Sequence, residues 1–228
     1  TRFPLCAVTP SEWMDKQAKS STWSDHLVQT IHNPVPYSYF KNRDQNACKR
    51  ALGVSAKMPL VLCIAGNLEE ERKGGNILKE VLNSKLDDVN FLLIGRTTKT
   101  IFLQNQNIDQ LGFIKDELTM QIAYHAADLA LHPAPIDNLP NTVAEAMCTG
   151  TPVLAFQTGG LPEMVVSGKS GWLVPEINAQ LMIRELHSII KLKTYKKLKN
   201  STQKLAKQLF DPKKIGEQYM NLFQGLVS

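Results

Sequence analysis

Asp137 and Glu145 stand eight positions apart in the stretch DNLPNTVAEAM, with Pro140 and Asn141 between them. Leu131 to Pro135 reads as the end of a buried strand and Val143 to Cys148 as the start of a helix. One carboxylate therefore precedes a helix N-terminus and the other lies about a turn inside it. Pro140 suits an early helical position, and Asn138 or Asn141 suits the cap. First-turn amides welcome an anion. Ionised carboxylates only accept hydrogen bonds, so vicinal hydroxyls are their natural partners. On that chemistry Asp137 is a candidate for sugar hydroxyls and Glu145 for a ribose diol. The alternative is local: Glu145 favours the macrodipole, and Asp137 is one more turn residue.

A second stretch, AGNLEEERKGG, puts Arg72 and Lys73 where a helix opens at Gly74-Gly75. Two cations there oppose the macrodipole. A diphosphate would resolve the conflict through charge-assisted hydrogen bonds. Equally, Glu69, Glu70 and Glu71 could neutralise the two cations on the surface. SGKSG at Ser167 to Gly171 imitates the end of a phosphate-binding loop. It fails as one, because Glu163 occupies the position of the required glycine and the apolar WLVP follows. There is no Asp-x-Asp pair and no His/Cys/carboxylate cluster with metal spacing, so no metal and no cofactor are expected. His132, near a strand end, is read as a satisfied structural histidine or a donor contact, and His125, in an Ala-rich helix, as structural.

The elements that must position these groups are legible as a rhythm. FPLCAVTP reads as a strand, followed by a helix from Ser11 to about Ser20 with Ser11 as N-cap, then a short strand in VQTIHNPVP. A polar stretch with one short helix near Gln45 to Leu52 reads as a linker. Beyond it strands at LVLCIAG, NFLLIG, NIDQLGFI, LALHPA and PVLAF alternate with helices at Gly75 to Leu82, Glu117 to Ala126 and the DNLPNTVAEAM motif, and the chain closes in helical segments. Short continuous apolar strands alternating with helices predict an α/β fold, a Rossmann-like parallel sheet covered on both faces. Ligands then sit at the carboxyl ends of the strands, where both candidate stretches fall.

Apolar residues make up 43% of the 228, enough for a core, and no apolar run reaches membrane-spanning length. No leader is visible after Thr1, and the missing Met points to a fragment or a processed chain. Four cysteines without paired or metal-like spacing read as reduced thiols of a cytosolic protein. The net charge of +5 gathers between Arg184 and Lys207, with eight basic residues and one acid. That run reads either as a solvated helix face, with Met182, Leu186, Ile189 and Ile190 turned inward, or as a surface for anionic lipid at the inner face of a membrane. No nucleic-acid recognition motif accompanies it.

RKGG, LGFIKDEL, AADLALHPAPIDNLPNTVAEAMCTGTPVLAF and TGGLPEMVVSGKSGWLVP follow one another between Arg72 and Pro175. This order resembles the retaining family-four (group 1) glycosyltransferases of GT-B fold. That family's E-x7-E signature stands here as Asp137-x7-Glu145, followed by Ala146-Met147, Gly150-x-Pro152-Val153, Gly159-Gly160 and Glu163.

The resemblance implies two Rossmann-like domains with the active site between them. Residues 61 to 228 would be the C-terminal nucleotide-sugar-binding domain, residues 37 to 60 a linker with a connecting helix, and residues 1 to 36 a remnant of the N-terminal, acceptor-side domain, most of it missing. It implies that Arg72 and Lys73 hold the donor diphosphate, Glu145 the ribose and Asp137 the transferred sugar. Asp137 stands where the family usually has Glu, one methylene shorter. Asn138, Leu139, Asn141 and Thr142 fall where loop amides and side chains meet sugar and phosphate, although Pro140 offers no N–H. Phe113 and Ile114 fall at the nucleobase, and Gly66 where the backbone nears phosphate.

The expected activity is transfer of a hexose, with retention and without metal, from a nucleoside diphosphate sugar, with a UDP-sugar the expected donor, to a glycan or lipid-linked acceptor. The 228-residue fragment by itself is expected to bind nucleotide without transferring sugar. The competing classes are a non-catalytic nucleotide-sugar-binding module acting through a partner and a sugar-nucleotide epimerase.

Overall fold

Five apolar runs and one edge strand of mixed character assemble into a six-stranded sheet in the computed structural model, which describes residues 5–98 and 107–227. The strands are β3 (Leu60–Asn67), β4 (Asn90–Arg96), β5 (Ile108–Gly112), β6 (Leu129–His132), β7 (Val153–Phe156) and β8 (Gly171–Val174). Their spatial order is β5-β4-β3-β6-β7-β8, every neighbouring pair parallel. β6 and β7 are buried along their whole length, as both-face coverage requires.

Alternation along the strands feeds two cores. Val61, Cys63, Phe91, Leu93, Leu131 and Phe156 enter the layer of α3 (Gly75–Leu82) and α7 (Ala179–Leu192). Leu60, Leu62, Leu92, Ile94, Ala130 and Ala155 enter the layer of α2 (Gln45–Ala51), α4 (Glu117–Ala126), α5 (Asn141–Cys148) and α8 (Lys199–Leu209). Full burial of each large apolar side chain contributes about 1.5–3 kcal/mol, so the strands need no side-chain hydrogen bonds to hold their places. Met182, Leu186, Ile189 and Ile190 all turn inward from α7.

Cys6–Thr9 (β1) and Leu27–Thr30 (β2) form a separate parallel pair joined by α1 (Glu12–Lys19). Phe3 and Pro4, the start of the expected first strand, lie outside the described residues. Ser11 caps α1 as its position predicts, accepting from the Met14 N–H. A small core of Ile31, Ile215 and Leu222 joins this pair to the last helix, α9 (Pro212–Val227). Among the described residues no helix is long and apolar enough to cross a membrane.

The sheet order has a consequence for function. The chain builds outward from β3 through β4 to β5, returns to lay β6 on the other side of β3, and continues to β7 and β8. Connections therefore leave β3 and β6 in opposite directions, which opens a crevice at the carboxyl ends of these two strands.

Candidate functional site

The loop after β3 forms one wall of the crevice. A 3-10 turn spans Glu71–Lys73, and Gly74 follows in the left-handed region at φ 83°. A Cβ on Gly74 would stand 2.2 Å from the Pro133 carbonyl oxygen, so only glycine lets this loop lie against the loop after β6. A Cβ on Gly66 would meet nothing within 4 Å, leaving bare backbone facing open space.

The loop after β6 forms the facing wall. Asp137 Oδ2 accepts from Lys73 Nζ at 2.7 Å, and Oδ1 accepts from the Asn138 N–H at 3.0 Å. His132 Nε2 lies 3.4 Å from the same Oδ2 but off the hydrogen-bonding direction, and it is buried without a partner. Burial by itself would raise the Asp137 carboxyl; His132 and Lys73 beside it overcome that and hold it well below the usual carboxylate range. The Asp137 backbone is also fixed. Its carbonyl accepts from the Gly160 N–H at 3.0 Å, and Thr158 Oγ1 donates to the Pro135 carbonyl at 2.6 Å.

α5 begins at Asn141 with Pro140 as its N-cap, and no side chain caps it. This corrects the expectation that Asn138 or Asn141 would do so. Asn138 Oδ1 accepts instead from Ser11 Oγ of α1, a partner 127 positions away that local sequence cannot reveal. Val143 and Ala144 N–H donate to the Pro140 carbonyl at 3.0 and 3.1 Å, and among the described residues the Asn141 and Thr142 N–H groups are left open at the crevice end of the helix. Leu139 is buried, Asn141 is exposed, and Thr142 is half-buried beside His132 and Tyr124 around a cavity of about 10 Å³.

Glu145 is half-buried on α5, and its Oε2 accepts from Tyr124 Oη of α4 at 2.7 Å. Burial raises its carboxyl, the Tyr124 hydrogen bond works against the rise, and the Glu117 charge adds to it. Tyr124 went unsingled in the sequence because its role needs the α4–α5 contact. Among the described residues the other carboxylate oxygen of Glu145 has no hydrogen bond, which leaves acceptor capacity.

The two basic residues part company. Lys73 reaches Asp137, whereas Arg72 is exposed and its Nε donates to Glu70 Oε1 at 2.9 Å. Surface neutralisation thus describes Arg72 and not Lys73. Phe113 follows β5 and is half exposed, with the Arg96 guanidinium 5.0 Å from its ring centroid; Ile114 beside it packs partly against the core. Glu163, which in the sequence breaks the phosphate-loop pattern and closes the motif string, accepts the Glu12 and Trp13 N–H groups, each at 2.7 Å. It therefore caps α1 from α6 (Leu161–Met164), the short helix that follows β7. The stretch Ser167 to Gly171 is a tight turn leading into β8, as its failure as a phosphate loop implies.

The family model described as Glycosyl transferases group 1 matches residues 59–191. The chain is 29% identical over 185 residues to the putative colanic acid biosynthesis glycosyltransferase WcaL of Salmonella typhimurium, covering 73% of this chain and 45% of that protein. It is also 29% identical over 160 residues to the D-inositol 3-phosphate glycosyltransferase of Mycobacterium sp. (strain JLS), covering 64% and 36%. The chain thus spans less than half the length of these curated relatives. Among solved structures, sucrose-phosphate synthase from Thermosynechococcus elongatus superposes with a TM-score of 0.86 at 20% identity, over 97% of this chain and 58% of that one. Anabaena Alr3699/HepE in complex with UDP and glucose superposes with a TM-score of 0.79 at 22% identity, over 95% and 62%. These likenesses show the Rossmann-like fold of the GT-B glycosyltransferases. Together with the family match they make the conclusion plain: the chain belongs to the group 1 glycosyltransferases.

Proposed function

We propose that the chain is the donor-binding part of a retaining hexosyltransferase that takes a nucleoside diphosphate sugar and passes its sugar to a glycan or lipid-linked acceptor. The observation that carries this reading is the meeting of Lys73, Asp137 and His132 at the strand-order reversal, beside the uncapped start of α5. The donor diphosphate lies between the α5 amides and Lys73, with Arg72 swinging from Glu70 toward it. As the bond from the sugar to the diphosphate breaks, negative charge grows on the leaving phosphate, where these donors are already aimed.

Asp137 and the His132 ring face the transferred sugar, and the Asn138 to Thr142 loop lines it. Glu145 grips the ribose diol and Phe113 stacks on the base, with Ile114 and Gly66 shaping the floor. A UDP-sugar is favoured by the UDP-bound neighbour, and a role in polysaccharide assembly by the colanic acid relative. In this reading Lys73, Arg72 and the α5 amides meet the diphosphate charge, so donor binding needs no metal. Acceptor contacts are assigned to an N-terminal domain, of which β1, α1 and β2 are the edge, and action on the cytoplasmic side follows from a nucleotide-sugar donor.

A thermal-shift panel of UDP, GDP and ADP tests the reading. UDP should stabilise the chain selectively, by about 2.7 kcal/mol at a hundred times its dissociation constant, and the shift should persist in EDTA. No selective shift would remove the donor site; a shift lost in EDTA and restored by magnesium or manganese would remove metal independence.

Glu145→Ala should weaken UDP binding about 10- to 100-fold, the worth of one hydrogen bond to a charged group. Glu145→Gln keeps an acceptor for Tyr124 and separates ribose contact from packing. Titration calorimetry in which both variants fold and bind like the parent would leave Glu145 as a partner of Tyr124 only.

A further inference from the structure

At the opposite end of the sheet, where the strands begin, lies a cleft of about 460 Å³. Its walls come from the chain ahead of β3, the turns ahead of β6 and β7, and the helix ends around Lys193 and Lys199. It shares no residue with the donor crevice. Its size is that of an ordinary small-ligand site.

The charge around it is one-sided. Five lysines, Lys49, Lys57, Lys193, Lys196 and Lys199, line it with a single acid, Asp128. Asp128 is already committed: it accepts from Lys49 Nζ at 2.6 Å, the Leu60 N–H at 2.9 Å and Gln45 Nε2 at 3.2 Å. Lys49 and Asp128 cancel, and the other four lysines have no ion pair among the described residues.

A cation at a helix C-terminus answers the macrodipole, which accounts for Lys193 at the end of α7. It does not account for the rest. Lys199 is the first residue of α8, where the dipole disfavours a cation and no side chain caps the helix. Lys57 lies in a loop and Lys196 in a 3-10 turn.

Two further observations mark the cleft. His125 of α4 lines it at 3% exposure, and among the described residues neither ring nitrogen makes a hydrogen bond of good geometry, the Lys41 backbone interacting with the ring only weakly. Burial, and then the Lys199 and Arg43 charges, push its pKa down to about 4, with the Lys41 backbone opposing, so the ring is neutral at pH 7. A neutral imidazole still offers one N–H donor. In addition, Lys193 sits at φ 52°, the one non-glycine with positive φ among the described residues. Glycine is the usual choice in that conformation.

We propose that this cleft binds a phosphate-bearing anion of small-molecule size, its charge met by Lys57, Lys193, Lys196 and Lys199 and one oxygen taking the His125 N–H. Four unpaired cations call for more than one negative charge, which a phosphate monoester supplies at about −1.5 to −2 near pH 7. A soluble phosphate ester and the headgroup of an acidic lipid share this chemistry.

The test follows the ring ¹⁵N signals of His125, assigned by their loss in His125→Gln, while the 228-residue chain is titrated with inorganic pyrophosphate. The signals should move and saturate. Lys196→Gln/Lys199→Gln should weaken the titration about tenfold or more, as loss of two charge-assisted contacts implies. Lys73→Ala, in the other crevice, should leave it unchanged, so failure of the donor-site reading would not mimic failure here. Co-sedimentation with phosphatidylcholine vesicles that contain phosphatidic acid, lost in the double variant, identifies the lipid source. A His125 response without vesicle binding identifies the soluble one. His125 signals that stay still, or that titrate equally in parent and double variant, overturn the proposal, as does vesicle binding that survives in the double variant.

Discussion

Lys73→Ala should lower sugar transfer by the full-length protein on the order of 10²–10³-fold, the cost of removing one preorganised donor from a developing oxyanion. Lys73 is the better placed of the two basic candidates, since its Nζ lies 2.7 Å from Asp137 in the crevice while Arg72 sits outside on Glu70. Arg72→Ala should therefore cost less. Steady-state kinetics on the two variants decides this order, and an equal or larger loss for Arg72→Ala would reverse the roles.

The same variant has a signature in stability. The folded pKa of Asp137 is depressed, so its pairing stabilises the fold above the unfolded carboxylate value of about 4, and that stability is lost as pH falls through the folded value. Without Lys73 the folded pKa rises toward the unfolded one, and the loss of stability on the acid side becomes shallower. Unfolding midpoints measured from pH 7 downward should show this flattening. An acid limb identical to the parent's would mean that Lys73 does not hold Asp137 ionised.

Gly159→Ala should be strongly damaging although it adds a single methyl group. The residue has φ 58°, and its Cβ would stand 2.0 Å from the Asp137 carbonyl oxygen. The left-handed backbone costs alanine about 1–2 kcal/mol, and the clash adds displacement of the half-buried Asp137–Asn138 turn, so a total of about 2–4 kcal/mol is expected. For a chain of this length that is a fall in the unfolding midpoint of roughly 5–15 °C. UDP-sugar binding should weaken as the Asp137–Asn138 turn moves.

Gly168→Ala is the control, with φ 75° but nothing within 4 Å of its Cβ. It should show the conformational cost alone. Differential scanning calorimetry that finds the two variants equally destabilised would show that contact with Asp137 carries no weight.

What local chemistry decides, the sequence by itself determined. The apolar runs became strands, because burial on both faces demands continuous apolar sequence, and Ser11 caps α1 as its residue type predicts. The motif string also identified the family correctly, and with it the parallel sheet.

The site is different, because its contacts join residues far apart in the chain. Lys73 meets Asp137 across 64 positions, Asn138 turns from a helix cap to Ser11 across 127, and Glu163 reaches Glu12 across 151. Nothing within a few residues of Arg72 and Lys73 separates their fates. The tertiary structure does so, by folding the loop after β3 against Pro133 so that only Lys73 reaches across. His125 likewise sits in a helix that sequence alone reads as structural. Only packing shows its ring buried and lying among lysines that run from Lys49 to Lys199, because charge and desolvation act through space and not along the chain.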